Sequence, residues 1–444
     1  MKIRILLGVA LTVATTALPA VLRSQSIRIS LEQTRSLARV GSSQLRAARD
    51  AVEAARGRET QASAFPNPEL VYSVERTSGA GERNTQQIAA IEQRVEIGGQ
   101  RVARRLAANL RRRAAEARLE DARTLVDFEV ARAYAEVVAA DRRAALARHA
   151  STAFVEAARV SGRRLAAGDI SVYADRRLKL EAARYAALAG EATLGSQSAR
   201  VALSALISPS EDSIDVTTAI LTDSVPNVLP PLSLATLSAA ALRNRDDYQE
   251  GLLEVEALAA DARLASAERI PSPAFTGGYK TEKSHGIPGS LDGFVAGIAF
   301  PLPLFDRRSG AIQAARAETR KADANRETLR RQIVREVRDA YNALVTVEQQ
   351  RAILAPQLGA PAASALRSAH VAYSEGEITL LEWLDAVRAY HEAESTYSNL
   401  VAESLIRRAT LERVVASPLA TLAVAGHLDD LTRPSGMASS ENQR

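Results

Sequence analysis

From Leu31 onward the apolar residues of this chain follow two periods in a repeated order. Leu31–Ser63 reads as helix, and Pro66 and Pro68 end it, because proline lacks the amide proton and its ring clashes with the preceding turn. The period then shortens to two. Leu70, Tyr72 and Val74 alternate with Glu69, Ser73 and Glu75, and Ala89, Ile91, Val95 and Ile97 alternate with Glu92, Arg94 and Glu96. This predicts strands over 67–76 and 87–97 with one apolar face, joined by a small polar turn over 77–82. After Gly98 and Gly99 the spacing returns to threes and fours. Leu119, Ala122, Val126, Val130, Ala133, Val137, Ala140 and Ala144 form the seam of a helix facing a partner helix, a coiled coil packed with small residues. From Gly99 to Gly168 that helix would run about 100 Å at ~1.5 Å per residue, too long for an ordinary globular domain. Gly168 supplies the left-handed position at which it turns back.

The order then repeats. Phe65-Pro66-Asn67-Pro68 returns as Ile270-Pro271-Ser272-Pro273, Ala133-Tyr134 as Ala340-Tyr341, and Gly168-Asp169-Ile170-Ser171 as Gly376-Glu377-Ile378-Thr379, at offsets of 205, 207 and 208. Phe275 and Tyr279, a glycine-rich loop around Gly286–Gly289, and Phe294, Ala296, Ile298, Phe300 and Leu302 give a second strand pair over 273–282 and 293–302. A second long helix follows Gly310 and turns at Gly376. On this reading 27–207 is one repeat and 232–416 the other. Between them, 208–231 is a connection containing Pro209, Pro226, Pro230 and Pro231, and 417–444 is a polar, mobile tail. The fold class expected is mainly α with a small β part: long antiparallel helical hairpins plus four strands per chain.

Composition narrows the function classes. Of the 444 residues 46% are hydrophobic and only 4% aromatic, so extended Ala-, Leu-, Arg- and Glu-rich helices account for the chain better than a compact mixed core. The net charge of +5 comes from 57 basic and 52 acidic residues mixed along the helices, which leaves no continuous basic face for nucleic acid. Cysteine is absent, which excludes disulfides, thiolate metal sites, cysteine nucleophiles and a lipid-bearing cysteine. The N-terminus carries Lys2 and Arg4, then an apolar run from Ile5 to Ala20, then small residues to Ser26, the order of an export signal cleaved between about 20 and 26. An uncleaved inner membrane anchor is the other reading of that run. No later segment is comparably apolar.

Four strands cannot close a barrel, and an open sheet in lipid would leave backbone groups unmet at several kcal/mol each. Oligomerisation is the way out. Small barrels need about eight strands or more, so a trimer is the economical solution, giving a 12-stranded barrel with the helices continuing its wall.

Phe65-Pro66-Asn67-Pro68-Glu69-Leu70, Glu92-Gln93-Arg94-Val95-Glu96-Ile97-Gly98-Gly99-Gln100-Arg101 and Phe300-Pro301-Leu302-Pro303-Leu304-Phe305, set in this duplicated plan over nearly the whole mature chain, resemble the motifs of the TolC-like outer membrane efflux family. Within it they most resemble the outer component of cobalt-zinc-cadmium type systems. The resemblance implies a trimeric duct whose helices form an α-barrel in the periplasm of a Gram-negative bacterium. Its implied partners are outer membrane lipid, a periplasmic adaptor and an inner membrane RND-type pump, with heavy-metal cations as one cargo. Pro66, Pro68, Gly98, Gly99, Pro301 and Pro303 then mark strand-to-helix transitions.

In that architecture the hairpin tips face the periplasm. Asp169, Asp175, Glu375, Glu377, Glu382 and Asp385 stand near them, and three copies of an inward carboxylate would make a cation-selective ring or gate. The plainer reading is a set of solvated helix ends, where acidic groups favour the dipole. Arg164, Leu165, Tyr373 and Leu380 are candidate adaptor contacts. Arg101, Arg307 and Arg308 either line the lumen or sit at the headgroup boundary. The five histidines show no i, i+4 pair, so neither a stored metal nor another cofactor is expected. No phosphate loop, nucleophile motif or metal triad points to an enzyme. Two other functions remain: a drug efflux or type I secretion duct of the same fold, and a periplasmic coiled-coil scaffold or adaptor without a pore.

Overall fold

The computed structural model describes residues 30–79, 82–207, 233–286, 288–419 and 421–422. The expected signal segment 1–26, the connection 208–231 and the tail beyond 422 lie outside the described residues. Each half starts with a bent helix pair, α1 (Leu31–Gly41) with α2 (Ser43–Ser63), and α5 (Leu234–Asn244) with α6 (Asp246–Ala267). The helix expected without a break over 31–63 is therefore two. Ser42 adopts φ −65°, ψ 119° and its hydroxyl accepts from the Leu45 amide, which stops one helix and caps the next. Arg245, at φ −70°, ψ 121°, makes the same bend in the second half.

The strands are β1 (Glu69–Gly79), β2 (Glu82–Arg94), β3 (Ala274–Ser284) and β4 (Leu291–Ala299), one antiparallel sheet in the order β1-β2-β3-β4. β1 and β2 run further toward each other than the small polar residues at 77–82 suggest: Gly79 pairs with Glu82. The ladder places Tyr72, Ala89, Tyr279 and Phe294 side by side on one face, with Leu70, Ile91, Phe275 and Ile298 about them. Phe294 is 90% exposed and Leu70 78%, so among the described residues this apolar face is left largely uncovered. Glu69, Ser73, Glu75, Asn84, Glu92, Lys280 and Glu282 lie on the other face. There Asn84 donates to Glu282 at 2.7 Å and Lys280 pairs with it at 3.0 Å. Gly278 lets the ladder close up, because a Cβ there would stand 2.4 Å from the Ala89 carbonyl oxygen.

α3 (Gln100–Ala166) is one continuous helix of 67 residues, and α4 (Val172–Ile207) returns beside it. The seam read from sequence is the packed side: Val126, Val130, Val137, Ala140 and Ala144 are all buried. The second long helix is not continuous. α7 (Ser309–Leu354) gives way to a 3₁₀ turn (Ala355–Gln357), and α8 (Ala360–Glu375) resumes before α9 (Leu380–Val415) runs back. Pro356 and Pro361 remove amide donors, and Gly359 sits at φ 71°, ψ −121°, which a side chain would oppose. Neighbouring helices pack in the series α2, α3, α6, α7 toward the sheet and α4, α3, α9, α8 toward the tips, and neither series returns to its start among the packed pairs. Two mid-length cores hold the bends. Ala38 and Leu45 pack on Val126 and Val130, and Leu237, Ala240 and Ala241 pack on Ile333, Val337 and Leu411. Among the described residues no helix is long and apolar enough to cross a membrane.

Candidate functional site

Two regions carry the residues singled out from sequence. At the junction of sheet and helices, Gly99 takes φ 81° before α3, and Gly98 leaves no room for a Cβ, which would fall 2.8 Å from both the Ala267 oxygen and the Ile270 side chain. Gln100, quoted above only within a motif, is the clasp. Its buried amide donates to the Ala267 and Ile270 carbonyls at 3.1 and 2.8 Å, while its oxygen accepts from the Gly98 amide at 2.8 Å, tying α3 to the end of α6. A polar side chain directly after a Gly-Gly break was the only signal of this role. Arg101 lies 3.8 Å over the Phe65 ring and donates to the Ser63 carbonyl at 2.6 Å, so it fastens α2 to α3. Arg104 joins Glu96 at 2.7 Å. Pro66 accepts at its carbonyl from Gln93 at 3.0 Å, while Pro68, Pro301 and Pro303 sit in irregular backbone flanking β1 and β4. Arg308 has φ 58° and reaches Glu268 at 3.0 Å; Arg307 is exposed.

The hairpin tips are built alike. Gly168 (φ 84°) and Gly376 (φ 81°) are left-handed. The Asp169 amide donates to Arg164 O at 2.9 Å and the Glu377 amide to Ala372 O at 2.8 Å, satisfying carbonyls that the helix end leaves open. Three residues on, Ser171 and Thr379 cap the returning helices. The repeated Gly-acidic-Ile-Ser/Thr tetrad is thus a stop signal followed by a start signal. One core joins the two tips: Phe154, Leu178 and Ala182 from the first hairpin pack with Trp383, Leu384 and Val387 from the second. An Arg388–Glu181 ion pair crosses between them.

The acidic candidates separate by what they touch. Asp175 is buried, accepts from the Ser161 hydroxyl at 2.7 Å and pairs with Lys179 at 2.8 Å. These contacts hold its carboxyl below the usual range, Lys179 first and Ser161 second. Glu382 accepts from both the backbone and the hydroxyl of Thr379, which lowers its pKa and makes it the second half of a capping box. Asp169, Glu377 and Asp385 are exposed and enter no ion pair among the described residues, and Glu375 is likewise exposed. Of the proposed adaptor contacts, Tyr373 stacks on Trp383 with ring centres 5.3 Å apart and Leu380 packs against the same core. Arg164 and Leu165 are half-exposed at the first turn. Among the described residues no three His, Asp or Glu side chains converge to hold a metal. Three of the five histidines, far apart in sequence, nevertheless line one cavity.

A four-stranded sheet with an exposed apolar face, carried on two long hairpins locked at a common tip, is the fold of the TolC-like outer membrane channels. Residues 237–417 match the outer membrane efflux protein family. The cobalt-zinc-cadmium resistance protein CzcC of Cupriavidus metallidurans is 28% identical over 414 residues, covering 90% of this chain and 93% of that one. The nickel-cobalt-cadmium resistance protein NccC of Alcaligenes xylosoxydans xylosoxydans is 29% identical over 337 residues, 73% and 71% of the two chains. The crystal structure of CusC superposes with a TM-score of 0.72 at 20% identity over 88% of this chain and 93% of that one. The chain is thus similar to outer membrane efflux proteins over most of its length. It is a non-enzymatic protein of the Gram-negative outer membrane.

Proposed function

We propose that three copies of this chain form the exit duct of a tripartite efflux system, passively conducting heavy-metal cations delivered by an inner membrane pump through a periplasmic adaptor. One observation carries the reading: the sheet has an exposed apolar face and, among the described residues, two unpaired edges, β1 and β4. Edges that must not remain open in lipid are satisfied when β4 of one copy pairs with β1 of the next, and three such sheets give twelve strands with the polar face inward. The open flanks of α2 and α4 on one side, and of α7 and α8 on the other, support the same closure. A scaffold without a pore has no use for such a sheet. The metal cargo rests on the likeness to two metal resistance proteins, and no observation favours drug or polypeptide passage.

Exposed Asp169, Glu377 and Asp385, unpaired and repeated threefold near the tips, are the groups proposed to select cations. The test is single-channel conductance of the purified protein in planar bilayers, with and without Asp169→Asn, Glu377→Gln and Asp385→Asn together. Cation preference should fall while trimer stability is kept. Equal selectivity in both proteins would remove these residues from the ring, and the absence of any conductance would sink the duct. Cobalt, zinc and cadmium tolerance of cells with and without the gene then checks the cargo.

A further inference from the structure

We propose that the apolar face of the sheet ends, on the side away from the helices, in a basic site for phosphorylated lipid headgroups. The site depends on the reading above that this face meets membrane lipid, and it names what the barrel holds at its outer rim.

The strand register separates charges that are neighbours in sequence. Glu75-Arg76 and Glu282-Lys283 each place one charge on either face, because successive side chains of a strand point to opposite sides. Glu75 and Glu282 fall on the polar face, with Gln86 between them. Arg76 and Lys283 fall on the apolar face with Thr85 between them, about 10 Å apart at ~4.8 Å per strand. Arg83, two residues from Thr85 along β2, shares that face. All three cations are exposed and enter no ion pair among the described residues.

Their height on the sheet points to lipid. Leu70, Ile91 and Ala296 form one row of this face, and Tyr72, Ala89, Tyr279 and Phe294 the next. Val74 shares the following row with Gln87, Thr281 and Asp292, and the cations stand in the rows beyond it. The β1–β2 and β3–β4 connections lie at this end, whereas α2, α3, α6 and α7 join the sheet at the other. Among the described paired positions of this face, Asp292 is the one carboxylate against three cations. Pairing β1 with β4 of the next copy engages backbone groups and leaves these side chains directed outward. An amphiphile whose acyl chains lie on the apolar rows therefore brings its phosphates to Arg76, Arg83 and Lys283. A soluble anion gains nothing from those rows, so the occupant favoured is a lipid with more than one phosphate charge.

The purified full-length protein in detergent is titrated with diphosphoryl lipid A and, separately, with monophosphoryl lipid A, and bound lipid is counted by native mass spectrometry. The unaltered protein should retain the diphosphoryl form more tightly, and excess inorganic phosphate should not displace it. Arg76→Gln, Arg83→Gln and Lys283→Gln together should weaken retention about a hundredfold, roughly fivefold for each charge lost. Glu75→Gln with Glu282→Gln, on the other face, should not weaken it. Single-channel conductance establishes that each variant is assembled. Equal retention of the two lipids by the unaltered protein, equal retention by the triple variant, or displacement by inorganic phosphate would overturn the proposal and leave the duct standing. An unaltered protein that never conducts in planar bilayers would overturn both.

Discussion

At the residue scale, Gln100 and Asp246 show how much one polar group can decide. Gln100, itself buried, bonds three backbone groups at the point where β2 becomes α3. Gln100→Ala removes these bonds, and thermal unfolding should report a loss of about 1–2 kcal/mol. Asp246 opens α6 facing Glu120, Asp121 and Asp247, and burial first, then these carboxylates, raise its pKa to about 6. The folded state thus holds its proton more tightly than the unfolded chain. Below pH ~4 both states are protonated and the site has no cost. As pH rises from about 4 to 6 the unfolded chain ionises first, and stability falls. Asp246→Asn should therefore raise the melting temperature at pH 7.5, with the gain shrinking to nothing near pH 4. A gain of equal size at both pH values would show that charge is not the cause.

At the element scale, the breaks matter as much as the helices. Pro356, Gly359 and Pro361 interrupt the second long helix where the first, with no proline at the corresponding point, runs through. Gly359→Ala imposes a side chain on φ 71°, ψ −121° and should cost about 1 kcal/mol in thermal unfolding. It should also alter Trp383 emission, because α8 borders the same cavity. Within the sheet, Gly278→Val has no room beside Ala89 and Ala90. It is expected to prevent strand closure, seen as loss of the proposed trimer in native mass analysis. Gly277→Ala, at a neighbouring position with nothing within 4 Å, serves as the control.

At the scale of the whole molecule, the chain is unfinished by itself. Leu70, Tyr72, Tyr279, Phe294 and Ile298 expose a contiguous apolar face, and among the described residues the outer edges of β1 and β4 have no strand partner. Phe294→Arg should cost about 2–4 kcal/mol if that face meets hydrocarbon, and should reduce the amount recovered from outer membrane fractions. Arginine in place of Ser73, on the opposite face, should be tolerated far better. Equal recovery of the two variants would argue that neither face meets lipid.

The sequence by itself determined the periodic features. Alternation at Leu70–Val74 and Phe294–Ile298, the seam from Val126 to Ala144, and the tetrads at Gly168 and Gly376 are local patterns, legible because a strand or helix repeats its exposure every two or 3.6 residues. The tertiary structure decided what depends on neighbours distant in the chain. Asp175 and Asp169 look alike in sequence, yet one is buried against Ser161 and the other is free in solvent. Ser42 and Arg245 bend helices whose apolar spacing continues past them. Gln100 became a clasp only because the end of α6 lies across from it, and His149, His370 and His391 met only because three helices converge. Burial and pairing between different elements leave no periodic trace in either segment, so folding the chain was the only way to read them.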